Sequence, residues 1–249
     1  MSGRQLHLNV NILHAGFSPA AWRMDGVDPY AAFTVDHYVQ VAKIAERAKL
    51  DAIFFADQAA ISDRIDYRPI TSLEPTIVLA TIAAATERIG LIATASTSFN
   101  EPYNIARRFA TLDHVSGGRI GWNIVTTADP ASARNFGLTG AIDHGGRYER
   151  AAEFTEIVKA LWDSWEDDAF IGDVASGRFV DAAKVHAIEH EGRIFRCMGR
   201  TMCRARRKGI RWSSRPAVPM TARSSPRATP KRCFPRRNRS RRRSPTQRS

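Results

Sequence analysis

From Leu6 to Leu13 the apolar residues Leu6, Leu8, Val10 and Ile12 alternate with polar ones, which predicts a strand. His14, Ala15 and Gly16 end it, and an irregular segment rich in Gly, Pro and Trp22 follows. Tyr38, Val41, Ala42, Ile44, Ala45 and Ala48 then recur at helical spacing, so a helix capped by Thr34 is expected to run to about Lys49. The run L-D-A-I-F-F-A-D-Q is apolar without alternation until Asp57, as suits a short parallel strand buried on both faces. Past a polar loop over 58–71, Ser72 and Pro75 open a second helix through about Thr86. I-G-L-I-A-T-A-S-T (89–97) reads as the third strand. Asn100 caps a third helix with Pro102 in its first turn, and Gly117 and Gly118 close it. R-I-G-W-N-I-V-T-T is the fourth strand. Arg147 to about Trp165 is the fourth helix, with Ala151, Phe154, Ile157, Val158 and Leu161 on one face.

Strands and helices thus alternate at the spacing of βα units, roughly 30 residues or more. This order fits a doubly wound sheet or half of a barrel. The polar residues favour the second. His14, Asp57, Thr94 to Thr97, and Asn123 to Thr127 all stand where a strand stops, and the C-terminal ends of the strands carry the active site of a (β/α)8 barrel. A Rossmann dinucleotide site is not expected, because no G-x-G-x-x-G follows the first strand.

Charge divides the chain in two. The 249 residues carry +12, yet residues 1–196 hold 19 Lys and Arg against all 25 Asp and Glu, a net −6. Residues 197–249 hold 18 Lys and Arg, no acid and all three cysteines (Cys197, Cys203, Cys233), a net +18. No disulfide framework is expected. No apolar run approaches the roughly 20 residues that span a bilayer, and the N-terminus lacks a basic region with a long apolar core; a cytoplasmic protein without membrane association is expected. No nucleophile–base–orienter set stands out. His186 and His190 lie in H-A-I-E-H, which lacks the glutamate position of H-E-x-x-H, so no metal is expected.

Four segments in order carry a resemblance. They are F-F-A-D-Q (54–58), A-T-A-S-T-S-F-N-E-P-Y-N-I-A-R-R-F-A-T-L-D-H-V-S-G-G-R-I-G-W-N-I-V-T (93–126), A-R-N-F-G (133–137) and D-H-G-G-R-Y-E-R-A-A-E-F (143–154). Over about residues 5–196 the chain resembles the nitrilotriacetate monooxygenase and sulfone monooxygenase branch of the bacterial luciferase-like flavin monooxygenases. The resemblance implies a TIM-type (β/α)8 barrel using reduced FMN as cosubstrate, with O2 and a small organic substrate. It also implies a separate NAD(P)H:flavin reductase as partner and a homodimeric full-length protein. Position by position it implies flavin contacts at Asp57, Thr94, Asn123 and Thr126, and contacts to the FMN phosphate at His144 and Tyr148. The i, i+4 spacing of that last pair puts both on one face at a helix N-terminus, where the dipole favours an anion. On the residues alone each has a structural alternative. Asp57 caps the next segment, Thr94 is an ordinary strand-end residue, Asn123 satisfies backbone groups inside the barrel, and His144 and Tyr148 form a surface pair. Trp122 and Phe99 are expected to pack rather than stack on flavin, and Arg107, Arg108 and Arg119 to pair with acids at helix ends. The substrate and the catalytic residues stay open.

The resemblance stops near Arg196. The Arg-, Ser- and Pro-rich stretch that follows has no helical or strand period, and suitable codons shifted by one base read through to A-G-S-S, the family's continuation. The expectation is therefore α/β: a barrel truncated to about its first four βα units over 1–196, with a disordered, out-of-frame basic tail over 197–249. The first and fourth strands would then have unpaired edges and activity would be impaired. The alternative is an inactive barrel fragment whose basic tail binds nucleic acid non-specifically through phosphates. Only Trp212 and Phe234 could stack on bases in that tail.

Overall fold

The structure is a computed structural model that describes residues 6–13, 16–61, 66–67, 73–140 and 142–202, and the backbone of Arg211–Ser213. These all fall within one compact unit, Met1–Ala217. Four parallel strands, β1 (Asn9–Ile12), β2 (Ala52–Phe55), β3 (Gly90–Ser96) and β4 (Ile120–Val125), alternate with helices α1 (Val35–Arg47), α2 (Pro75–Ala85) and α3 (Pro102–Ser116). A short helix α4 (Pro130–Asn135) and a long one, α5 (His144–Trp162), follow β4. Two antiparallel hairpins come next, β5 (Phe170–Asp173) with β6 (Arg178–Val180), and β7 (His190–Glu191) with β8 (Arg196–Cys197). The last strand is β9 (Arg211–Ser213), and the main sheet runs β1-β2-β3-β4-β9.

Register explains why one face of this sheet is dry. Ile12, Phe55, Ala93 and Trp122 stand side by side across the strands, and all are buried. They pack with Tyr38 and Ala42 of α1, Leu79 and Ile82 of α2, Ile105 and Phe109 of α3, and Phe154, Ile157 and Leu161 of α5. The adjacent row, Asn11, Phe54, Ile92 and Gly121, has the opposite parity and points away from the helices. Strands in sequential order, with α1, α2, α3 and α5 on one side, are successive βα units of a barrel. A doubly wound sheet would reverse its order and place helices on both faces. Trp122 sits at the centre of the dry side, 5.7 Å from the Phe109 ring, 5.9 Å from Phe154 and 6.2 Å from Trp162. Its Nε1 donates to the Ala95 carbonyl at 3.0 Å, so it packs, as expected.

The N-terminal ends of the strands are closed by two charged side chains. Arg119 donates to the carbonyls of Ser116, Ala83, Thr86 and Ile89 and to the Thr86 hydroxyl. It satisfies helix-terminal carbonyls, and the acid expected to pair with it, Glu46, acts on it through charge alone. Arg107 reaches Asn104, not an acid, while Arg108 lies 3.8 Å from Glu74. Glu46 accepts the amides of Glu87, Arg88 and Ile89 through one oxygen. Burial opposes its ionisation, but those amides, with the Arg119 charge, hold its carboxyl below the usual range.

Several boundaries differ from the sequence-based ones. The first strand spans Asn9–Ile12, inside the expected 6–13, because Leu6 and Leu8 are exposed. The third helix is capped at Glu101, and Asn100 instead donates to the Ser96 carbonyl at 2.8 Å. Gly117 does close that helix, with φ 70° in the left-handed region. The final long helix begins at His144, not Arg147, since Asp143 caps it by accepting the Gly146 amide. Ser72 and His14 lie outside the described residues. The outer edge of β4 is not bare: Gly121, Trp122 and Asn123 align with Arg211, Trp212 and Ser213 in parallel. Open strand-edge amides and carbonyls are a template for pairing, and β9 uses this one although its sequence has no strand period. The remainder of the basic tail lies outside the described residues. Among the described residues no helix is long and apolar enough to cross a membrane.

Candidate functional site at the C-terminal strand ends

At the C-terminal ends of β2 and β3 a cleft of about 450 Å³ opens, with Asp57, Ile61, Glu74, Ser96, Phe99, Asn100, Arg108 and Phe136 in its lining. Its walls are built locally. Ser96 accepts the Thr127 hydroxyl at 2.7 Å and the Ser98 amide at 3.1 Å. The Thr97 amide and hydroxyl both donate to the Val125 carbonyl, and the Ser98 hydroxyl donates to the Thr127 carbonyl. The small hydroxylated residues ending β3 thus stitch it to the end of β4. The A-R-N-F-G motif supplies the opposite wall. Phe136 stacks on Phe99 with ring centres 4.7 Å apart, and Asn135 donates to the Ala59 carbonyl at 2.9 Å.

Asp57 keeps contact with solvent at the cleft. The protein packed around it, and next the charge of Glu74, raise its carboxyl above the ordinary aspartate range, against the Gln58 amide and the Arg108 charge. Thr94 and Asn123 are register partners, and Asn123 Nδ2 donates to Thr94 Oγ1 at 3.0 Å. With the parity opposite to Trp122, this pair faces the barrel interior. Thr126 follows β4 directly and is half-buried. His144 and Tyr148 meet on the first turns of α5, ring centres 4.7 Å apart. The Asp143 carboxylate takes the Gly146 amide at this end, and the Arg147 guanidinium donates to the Ile142 carbonyl. Among the described residues no hydrogen bond or ring contact joins the His144–Tyr148 pair to Asp57, Thr94 or Asn123. His186 and His190 bind different carboxylates, Glu166 at 2.8 Å and Glu153 at 3.1 Å.

Sequence reasoning passed over Glu74 and Arg150. Arg150 carries a recognisable signal: it lies four residues before Phe154, on the apolar stripe of α5 where a charge needs a reason to be. Glu74 gave no such signal, since it caps α2 by accepting the Ile77 amide.

The family model described as luciferase-like monooxygenase matches residues 16–229. The chain belongs to this family. It is 44% identical over 196 residues to the N-acetyl-S-(2-succino)cysteine monooxygenase of Bacillus subtilis (strain 168), covering 79% of this chain and 44% of the relative. It is 41% identical over 210 residues to nitrilotriacetate monooxygenase component A of Aminobacter aminovorans, covering 80% and 46%. Among solved structures, riboflavin lyase, crystallised with modified FMN and riboflavin, superposes with a TM-score of 0.75 at 37% identity, covering 84% of this chain and 49% of that one. The chain therefore spans about half the length of the relatives it matches. The four βα units are those of a luciferase-like TIM barrel. The family match also runs past Arg196 into the basic stretch, and β9 lies beside β4, where a fifth barrel strand would pair.

Proposed function

We propose that the chain is the FMN-binding part of a two-component monooxygenase that takes reduced flavin from a separate NAD(P)H:flavin reductase and oxidises a small organic substrate with O2. The observation that carries this reading is the hydrogen-bonded pair Thr94 and Asn123 on adjacent parallel strands, with Asp57 lining the cleft just past the end of the neighbouring strand β2, in a family whose solved relatives include one holding a modified FMN.

The donor set suits the group. Thr94 and Asn123 offer a hydroxyl and an amide to the polar edge of a flavin ring, and Asp57 offers an acceptor for a ring N–H. His144 and Tyr148 offer two donors to a phosphate, beside a helix N-terminus whose dipole adds attraction. Thr126 extends the β4 wall of the same mouth. Bound reduced flavin supplies the electrons with which O2 is activated, while the protein's part is orientation and exclusion of water. Phe99 and Phe136 give the cleft an apolar wall that keeps water from a substrate placed there. A reductase that uses NAD(P)H fits a cytoplasmic protein, and full-length homodimers fit the family. The basic stretch after Arg196 is, on this reading, the product of a shifted reading frame, and resequencing the gene across it tests that.

Titrating FMN and riboflavin into the full chain, followed by quenching of flavin fluorescence, tests the site. Asn123→Ala should weaken both ligands by about tenfold, the worth of a buried hydrogen bond to a ligand. His144→Ala and Tyr148→Phe should weaken FMN alone, because riboflavin has no phosphate. Equal losses for both flavins would remove His144 and Tyr148 from the phosphate, and no quenching by the wild-type chain would end the proposal.

A further inference from the structure

Arg150 makes more connections than its place on α5 requires. Its Nε donates to the Thr97 carbonyl at 2.9 Å and its Nη2 to the Asn100 carbonyl at 3.1 Å. Its guanidinium carbon stands 4.4 Å over the Phe195 ring, and Glu101 lies 3.8 Å away. The side chain is only 19% exposed. Both carbonyls belong to the segment between β3 and α3, and two residues of that segment, Phe99 and Asn100, line the cleft. The same helix carries His144 six residues and Tyr148 two residues before Arg150.

We propose that Arg150 is a positioning residue that fixes the cleft wall at 97–100 relative to the start of α5, so that ring-side and phosphate-side contacts are held at one spacing. The chemistry favours arginine. Its planar fork reaches two carbonyls at once while its face stacks on an aromatic ring, and lysine offers a single charged point. Burial lowers the guanidinium's pKa, yet an arginine stays charged in proteins, so the brace does not loosen with pH. The Thr97 and Asn100 carbonyls sit where the chain turns from β3 into α3; Thr97 and Ser98 tie that turn to the end of β4, and Arg150 ties it to α5. Phe195 completes the clamp from the far side and ties the β7–β8 hairpin into it.

Hydrogen exchange of the full chain reads the brace without any ligand. In Arg150→Ala, the amides of Thr97 and Ser98, which donate to Val125 and to Ser96, should exchange about tenfold faster, while those of Val78 and Leu79 in α2 keep their protection. Arg150→Lys should show the same local loss if the fork matters and not the charge, and it keeps the test alive if the alanine variant does not fold. Millimolar guanidinium should restore protection to Arg150→Ala, and methylammonium should not. Unchanged exchange at Thr97 and Ser98 in both variants, or an equal loss in α2, overturns the proposal. The functional consequence rests on the flavin site proposed above: FMN affinity should fall about tenfold in Arg150→Lys and recover with guanidinium in Arg150→Ala. Faster exchange with FMN affinity unchanged overturns the positioning role, whereas a wild-type chain that binds no FMN overturns the flavin site and leaves exchange to judge the brace.

Discussion

Asp57 lines the cleft at some cost to the fold. Although it stays exposed to solvent, its carboxyl is raised first by the protein packed around it and then by Glu74. Between the unfolded pKa of about 3.9 and its folded value the native state thus binds more protons than the unfolded chain, an effect that solvent screening keeps small. Stability from this group is therefore greatest in acid and declines as pH rises. Glu46 and Glu153 are shifted down and act in the opposite sense, but they are the same in wild type and variant and cancel in a difference. Asp57→Asn should accordingly raise the urea midpoint at neutral pH, with the gain shrinking as pH drops toward about 4. A gain of the same size at both pH values would show that the carboxyl is not strained by its surroundings. A raised carboxylate in a cleft is also a mark of function, and that mark comes from packing first and then from Glu74, which the sequence places on the far side of a long loop.

The elements were legible to different depths, for physical reasons. The four strands and the helices α1, α2 and α3 follow from periodicity and glycine stops because their apolar sides meet one core. Helix α4 was missed since it has six residues and exists to seat Phe136 on Phe99. The two hairpins after α5 were missed because they do not pack by pattern: β5 is exposed throughout, and β7–β8 is held by the Glu153 carboxylate and by Phe195 against Phe154 and Arg150 rather than by an apolar period. Of the site, Thr94 and Asn123 stand together as neighbouring strand ends must, whereas the distance between that pair and His144 depends on a loop no pattern fixes. The hairpin makes a sharp test. Glu153 accepts the Ile194 and Phe195 amides and pairs with His190; burial opposes its ionisation, but these partners hold its pKa down. Gly192 leaves room for it, because a β-carbon there would lie 2.0 Å from the Glu153 carboxylate. Glu153→Ala should cost about 2 kcal/mol, the penalty for stranding buried amides, and Gly192→Ala should free the hairpin by displacing the same carboxylate. Limited proteolysis at 190–197 would register both, and resistance equal to wild type in both would mean that Phe195, not Glu153, anchors the hairpin. Lowering the pH through the range of Glu153 should loosen the wild-type hairpin likewise, since a depressed carboxylate stabilises only above its unfolded pKa.

On the scale of the whole chain two parts with opposite charge share one polypeptide, and β9 is where they meet. A body of net −6 repels polyphosphates while a stretch of +18 attracts them, so retention on DNA should belong to the stretch alone. Its affinity should fall by on the order of 10³ or more between about 50 and about 200 mM salt, because the binding is counterion release with no base readout. The same stretch supplies Arg211–Ser213, which pair with Gly121–Asn123, and Asn123 is a residue of the proposed flavin site. Deleting residues 203–249 therefore has two consequences of different origin. DNA retention disappears because the charge is gone. The β4 edge opens, and an open parallel edge next to Trp122 invites pairing between copies, so the shortened chain should elute as larger species on gel filtration at concentrations where the full chain does not. DNA retention that survives the deletion would place a basic surface on the body, against its net charge. A shortened chain that stays the size of the original would mean that three residues of β9 contribute nothing to protecting the sheet, and that the β4 edge is tolerated as it stands.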